Sequence, residues 1–156
     1  MINVKKEANR IFDKMSRKNS DATYLEIIGF KYVIEQPILT TDVIVEYPNE
    51  LDKIERDEIL NYFDSYDFDK DMGTRQAAIQ PKYQDDKNKA ACISLVHALL
   101  RNGKVYMFAH FRSQNFDNNF DYDYQTLQLV MKLLTEKYKL EFGKIYVTVS
   151  SLHKYI

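Results

Sequence analysis

The chain has no tryptophan, one cysteine, three prolines and four glycines in 156 residues. The lone thiol, Cys92, excludes an internal disulfide and fits a reducing compartment. Charge of one sign is not in excess either. Twenty-two Lys and Arg face 23 Asp and Glu, a formal charge of -1, so no global field marks a nucleic-acid or membrane binder. No apolar run is long enough to cross a bilayer. The opening Met1-Ile2-Asn3-Val4-Lys5-Lys6 lacks the apolar core of a signal peptide. These absences predict a soluble, cytoplasmic protein without a membrane partner. There is no internal repeat, linker or low-complexity segment.

What is present suits a packed interior. Hydrophobic residues make up 45% and aromatics 13%, with twelve Tyr and nine Phe. Disorder is excluded at this composition, and the length predicts one domain, 1–156. Val4, Ala8, Ile11, Phe12 and Met15 recur at helical spacing and predict a helix over 3–17, with Lys6, Arg10, Lys14 and Arg17 on a solvated face. Residues 23–34 are rich in β-branched and aromatic side chains and read as a strand, with Gly29 marking a bulge or close approach. A shorter strand is expected over 41–47. Pro48-Asn49 then opens a helix over 50–64, carried by Leu51, Ile54, Ile59, Leu60 and Phe63. Asp64, Asp67, Asp69 and Asp71 superficially resemble a calcium loop. The required Gly and Glu are out of place, so a solvated loop and no metal site are expected.

The second half reads more sharply. Residues 91–100 and 104–112 flank Asn102-Gly103, a strong hairpin signal because both residues tolerate positive φ. A helix follows over 123–138, closed by Leu140 and Gly143, and then a buried strand over 144–150. The whole is a mixed α/β (α+β) domain, a central mixed sheet with a long helix packed on it.

Cys92 taken alone is more often a small buried hydrophobe than a nucleophile. Its company changes that reading. Twenty positions on stands Arg112-Ser113-Gln114-Asn115, and near the end His153-Lys154-Tyr155. A guanidinium fork beside a hydroxyl suits a phosphate, and a cation near a thiol favours its ionised form.

From Cys92 to Tyr155, these residues together with Gly103, the long helix and Gly143 resemble the thymidylate synthase/dCMP hydroxymethylase family in a minimal, divergent form. The resemblance implies a homodimeric pyrimidine-nucleotide site. Cys92 would be the nucleophile that adds to C6 of the base. Arg112 and Ser113 would hold the phosphate, with Arg112 favouring the thiolate, and His153 and Tyr155 would bind the sugar hydroxyl. Asn115 stands where an Asp is expected in the nucleotide site. Asp123 takes the place of the base-reading Asn. An ionised Asp accepts only, which suits the exocyclic amino group of cytosine. Arg75 of Arg75-Gln76 resembles one of two arginines that reach the partner subunit's phosphate.

The departures are equally specific. Ile93 replaces the His that follows the nucleophile. No counterpart of the catalytic Glu or of the folate-side aromatics is recognisable between Tyr47 and Arg75, and the chain stops at Ile156 without a closing tail. A folate one-carbon donor is implied only if the family chemistry is retained. Three readings follow: a methyl- or hydroxymethyltransferase acting at C5 of a pyrimidine nucleoside monophosphate, a protein that sequesters or senses such a nucleotide without turnover, and an interaction module on the same scaffold.

Overall fold

The computed structural model describes residues 1–39, 46, 49–68, 76–82 and 92–156. The elements are α1 (Ile2–Lys18), β1 (Tyr24–Ile34), α2 (Glu50–Ser65), β2 (Ala78–Ile79), β3 (Ile93–Arg101), β4 (Lys104–Phe111), β5 (Gln114–Asn115), α3 (Phe120–Tyr138) and β6 (Glu141–Tyr155). The expected strand over 41–47 lies outside the described residues except for Glu46, and so do Asp69, Asp71 and Arg75.

The sheet order is β1-β6-β4-β3-β2, with β5 also paired to β6. β6 runs antiparallel to β1 and parallel to β4 and β5, which makes the sheet mixed. α1 packs on β1, α3 packs on β4 and β6, and α2 packs on α3. Each strand turns one face to this layer, where Phe12, Phe63, Phe111, Leu127 and Leu134 are fully buried.

The Asn102-Gly103 turn forms as expected, with φ of 52° and 76°. Several boundaries differ from the sequence reading. α3 starts at Phe120, three residues early, with Asn119 at the N-cap position. Gly143 does not close that helix; Lys139 does, in the left-handed conformation at φ 53°. Gly143 lies inside β6, where the pairing with β4 slips between Val105 and Met107. A methyl group at Gly143 would run into the Val105 carbonyl oxygen and come within 3.0 Å of the Tyr106 ring. Gly143→Ala is therefore expected to destabilise the fold by about 1–3 kcal/mol, as overpacking typically does. Urea denaturation checks this, and an unchanged midpoint would remove the close approach as the reason for glycine there.

A second irregularity crosses the sheet. Strand residues alternate between faces, yet the alternation changes phase in three neighbouring strands at one level. In β1 the buried residues are Leu25 and Ile27, then Phe30, Tyr32 and Ile34. In β6 they are Ile145, Val147 and Val149, then Leu152. Along the line of β4 and β5 they are Val105, Met107, Ala109 and Phe111, then Gln114. Each strand thus has two successive residues outside the core, Ile28-Gly29, Ser150-Ser151 and Arg112-Ser113. Register is the same on both sides of this seam: Phe30 and Ile27 pair with Val149 and Leu152, which lie beside Phe111 and Gln114. Gly29 takes the step in β1 with φ of 69°. It is a change of face without a register shift and with open space around it, rather than the bulge or close approach expected from the sequence.

Candidate functional site

The seam brings Arg112 and Ser113 together. Ordinary alternation would send adjacent residues to opposite faces, whereas here neither enters the core. The Arg112 amide donates to the Cys92 carbonyl oxygen at 2.9 Å, so the cysteine sits beside the guanidinium's strand where β3 begins. Ser113 Oγ lies 3.5 Å from His153 Nδ1 on β6. Cys92, Arg112, Ser113 and His153 are thereby contiguous. Asn115 pairs with His153, and Phe116 N donates to the His153 carbonyl. The Asn115 side chain is engaged locally, accepting from the amides of Asp117 and Asn118 at 3.1 and 3.2 Å.

His153 and Tyr155 alternate with the buried Leu152, so both face away from the core. Tyr24, from the paired end of β1, lies against both rings, with centroids at 6.0 Å from His153 and 5.4 Å from Tyr155. The terminal His-x-Tyr is held in a sheet rather than frayed.

Asp123 lies on the other side of the seam. It is buried in the first turn of α3, and Gln114 Nε2 donates to its Oδ2 at 2.9 Å. Burial pushes its carboxyl well above the usual range against the Gln114 bond, with Glu55 and Asp52 adding to the rise. This shift favours the protonated carboxyl, which offers a donor as well as an acceptor, unlike the acceptor-only carboxylate of the sequence reading. It does not share an open face with His153 and Tyr155.

Two acids beside this site escaped the sequence reading. Asp52, Glu55, Ile59 and Phe63 form the buried face of α2. Following helical spacing back from Phe63 and Ile59 leads to these carboxylates, whereas the apolar residues Leu51 and Ile54 had been assigned to that face. Asn49 starts the helix, its side chain accepting from Asp52 N at 3.0 Å. Asn119 Nδ2 donates to Asp52 Oδ2 at 3.2 Å, and Ile93 N donates to Glu55 Oε1 at 3.2 Å. Burial raises the Glu55 carboxyl to about 7, opposed by the Ile93 amide and assisted by Asp52. Glu55 is thus anchored to the backbone next to Cys92.

The thiol itself is half-buried. Burial and then the Glu55 charge push it up to about 11, and the Arg112 guanidinium pulls it down without prevailing. The expected thiolate is therefore not the resting form. A cavity of about 10 Å³ lies between Asp52, Glu55, Asp123 and Ile93, room for about one water.

Among the described residues no His, Cys, Asp and Glu group is arranged to hold a metal ion, and no helix is long and apolar enough to cross a membrane. Compared with known protein families and with curated proteins, the chain matches none.

Proposed function

We propose that this chain binds a pyrimidine nucleoside monophosphate at the seam, on a thymidylate synthase-like fold of minimal form. The observation that carries the reading is the contiguous run of Cys92, Arg112, Ser113 and His153. Arg112 and Ser113 take the phosphate and His153 and Tyr155 the sugar, while Asp123, buried across the seam against Gln114, stands outside this set of contacts. Arg75 of a second copy is assigned to the same phosphate.

The residues also support a step at C5. Glu55 takes the Cys92 proton, the sulfur adds to C6 of the base, and the π pair of the C5=C6 bond moves to C5, which takes a proton from water that the protonated Glu55 resupplies. Reversal exchanges the C5 hydrogen with solvent and restores every bond. This exchange needs no one-carbon donor, and the described cavity beside Glu55 has room for about one water. The second reading is binding without turnover, favoured by the thiol at about 11.

Deuterium exchange at C5 of CMP, dCMP, UMP and dUMP decides between them. The catalytic reading expects exchange that is lost in Cys92→Ala, together with a covalent adduct with a 5-fluoropyrimidine nucleotide by mass spectrometry. Binding that survives Cys92→Ala with no exchange at any pH leaves the second reading. A flat thermal-shift response to all four nucleotides sinks both.

We also propose a homodimer through the outer sheet face. Val33, Phe108 and Tyr146 are 38–39% exposed there, and the Phe108 and Tyr146 rings stack at 5.1 Å. A second copy would cover this aromatic strip. Phe108→Glu is expected to shift sedimentation from dimer to monomer. A parent chain that sediments as a monomer at high concentration rejects this pairing.

A further inference from the structure

Across the sugar end of the proposed site stands a carboxylate that the reading so far leaves unused. Glu26 is the direct cross-strand partner of His153, and Tyr24 is the partner of Tyr155. Directly opposed side chains on one face of an antiparallel pair have Cβ atoms about 4.5–5.5 Å apart. All four alternate with the buried Leu25, Ile27 and Leu152, so they share the outward face. The Tyr24 hydroxyl donates to Glu26 Oε2 at 2.7 Å, and the Ser151 hydroxyl donates to the same oxygen. The two donors hold the carboxyl below its usual range, so it is ionised at neutral pH. They also fix its orientation. Among the described residues no donor is aimed at Oε1. The result is a preset acceptor beside a Tyr–His–Tyr ring cluster, with the Ser113 hydroxyl against the same imidazole.

We infer that Glu26 accepts the sugar 2′-hydroxyl, making this a site for a pyrimidine ribonucleoside monophosphate in preference to the 2′-deoxy form. A ribose offers a 2′-hydroxyl donor that a deoxyribose lacks, and His153 and Tyr155 are already assigned to the sugar's other hydroxyl. Acidic side chains read the ribose 2′-hydroxyl in the same way in dinucleotide folds. Oε2 is already supplied from within the protein, so the incoming hydroxyl goes to Oε1. The inference rests on the proposed nucleotide site and adds its sugar selectivity.

The test is calorimetric titration of the full chain with CMP, dCMP, UMP and dUMP. The ribonucleotides are expected to bind about tenfold tighter than their deoxy counterparts, the worth of roughly one hydrogen bond to a charged group. Glu26→Ala is expected to remove that ratio by weakening the ribonucleotides while moving the deoxynucleotides less than twofold. Glu26→Gln, which keeps an oxygen but loses the charge, is expected to fall between. The side chain lies at the surface, and thermal unfolding of both variants checks that the fold is kept. Equal affinity for the two sugars in the native chain overturns the inference, as does a ratio that survives Glu26→Ala, and either leaves the nucleotide site standing. No binding of any of the four overturns the site and the inference together.

Discussion

Arg112→Ala is expected to weaken binding of a pyrimidine monophosphate by about 100-fold while leaving the corresponding nucleoside nearly unaffected. Two hydrogen bonds from a guanidinium to a phosphate are worth about 1.5–3 kcal/mol each, and loss of about 3 kcal/mol corresponds to roughly 100-fold in affinity. Arg112 is exposed at the seam, so truncation leaves the core untouched. Arg112→Lys keeps the charge without the planar fork and is expected to lose about tenfold. A second readout belongs to the same residue. Its guanidinium lowers the Cys92 thiol, so Arg112→Ala should slow alkylation of Cys92 by iodoacetamide at pH 8. Calorimetry with CMP against cytidine separates phosphate recognition from general damage. Equal losses for nucleotide and nucleoside would take the phosphate away from Arg112.

The fold was legible where local chemistry settled it. Asn102-Gly103 specified the hairpin, and the stripe Val4-Ala8-Ile11-Phe12-Met15 specified α1. β6 was read short at its start because Gly143 was taken to close the helix, and short at its end because its alternation changes phase at Ser150-Ser151, where a strict period of two stops. The same seam hid the reason why Arg112 and Ser113 both lie outside the core. Adjacent strand residues point apart unless the sheet steps, and the step is shared by three strands that are distant in sequence. Only pairing reveals it. The buried acids were missed for a different reason. Asp52 and Glu55 occupy core-facing positions of α2, where burial of a charge is costly and an apolar residue is the default expectation. Their compensation comes from Asn119 and the Ile93 amide, which are far along the chain. Glu26 was passed over as one more polar position of an alternating strand. Its partners Ser151 and His153 are joined to it by strand pairing alone.

Glu55 carries the largest stability prediction, and its sign depends on pH. Its folded value of about 7 lies above the ordinary 4.5, chiefly through burial. The folded protein therefore binds this proton more tightly than the unfolded chain. The contribution to stability is fully present below about pH 4.5 and is lost as pH rises through 7. A difference of about 2.5 pH units corresponds to about 3 kcal/mol. Glu55→Gln keeps an oxygen for the Ile93 amide and cannot ionise. It should match the parent near pH 5 and exceed it by about 2–3 kcal/mol at pH 8 in urea denaturation. Asp123 contributes with the same sign, and because the Glu55 charge adds to its rise, Glu55→Gln also eases Asp123 and works in the same direction. In the proposed chemistry the same substitution removes the acceptor for the Cys92 proton, so the more stable variant should have lost C5 hydrogen exchange. A variant no more stable at pH 8 than at pH 5, relative to the parent, would show that Glu55 is not held as a buried, high-pKa acid. Retained exchange in a stabilised variant would instead leave Glu55 buried and assign the thiol's proton to another group.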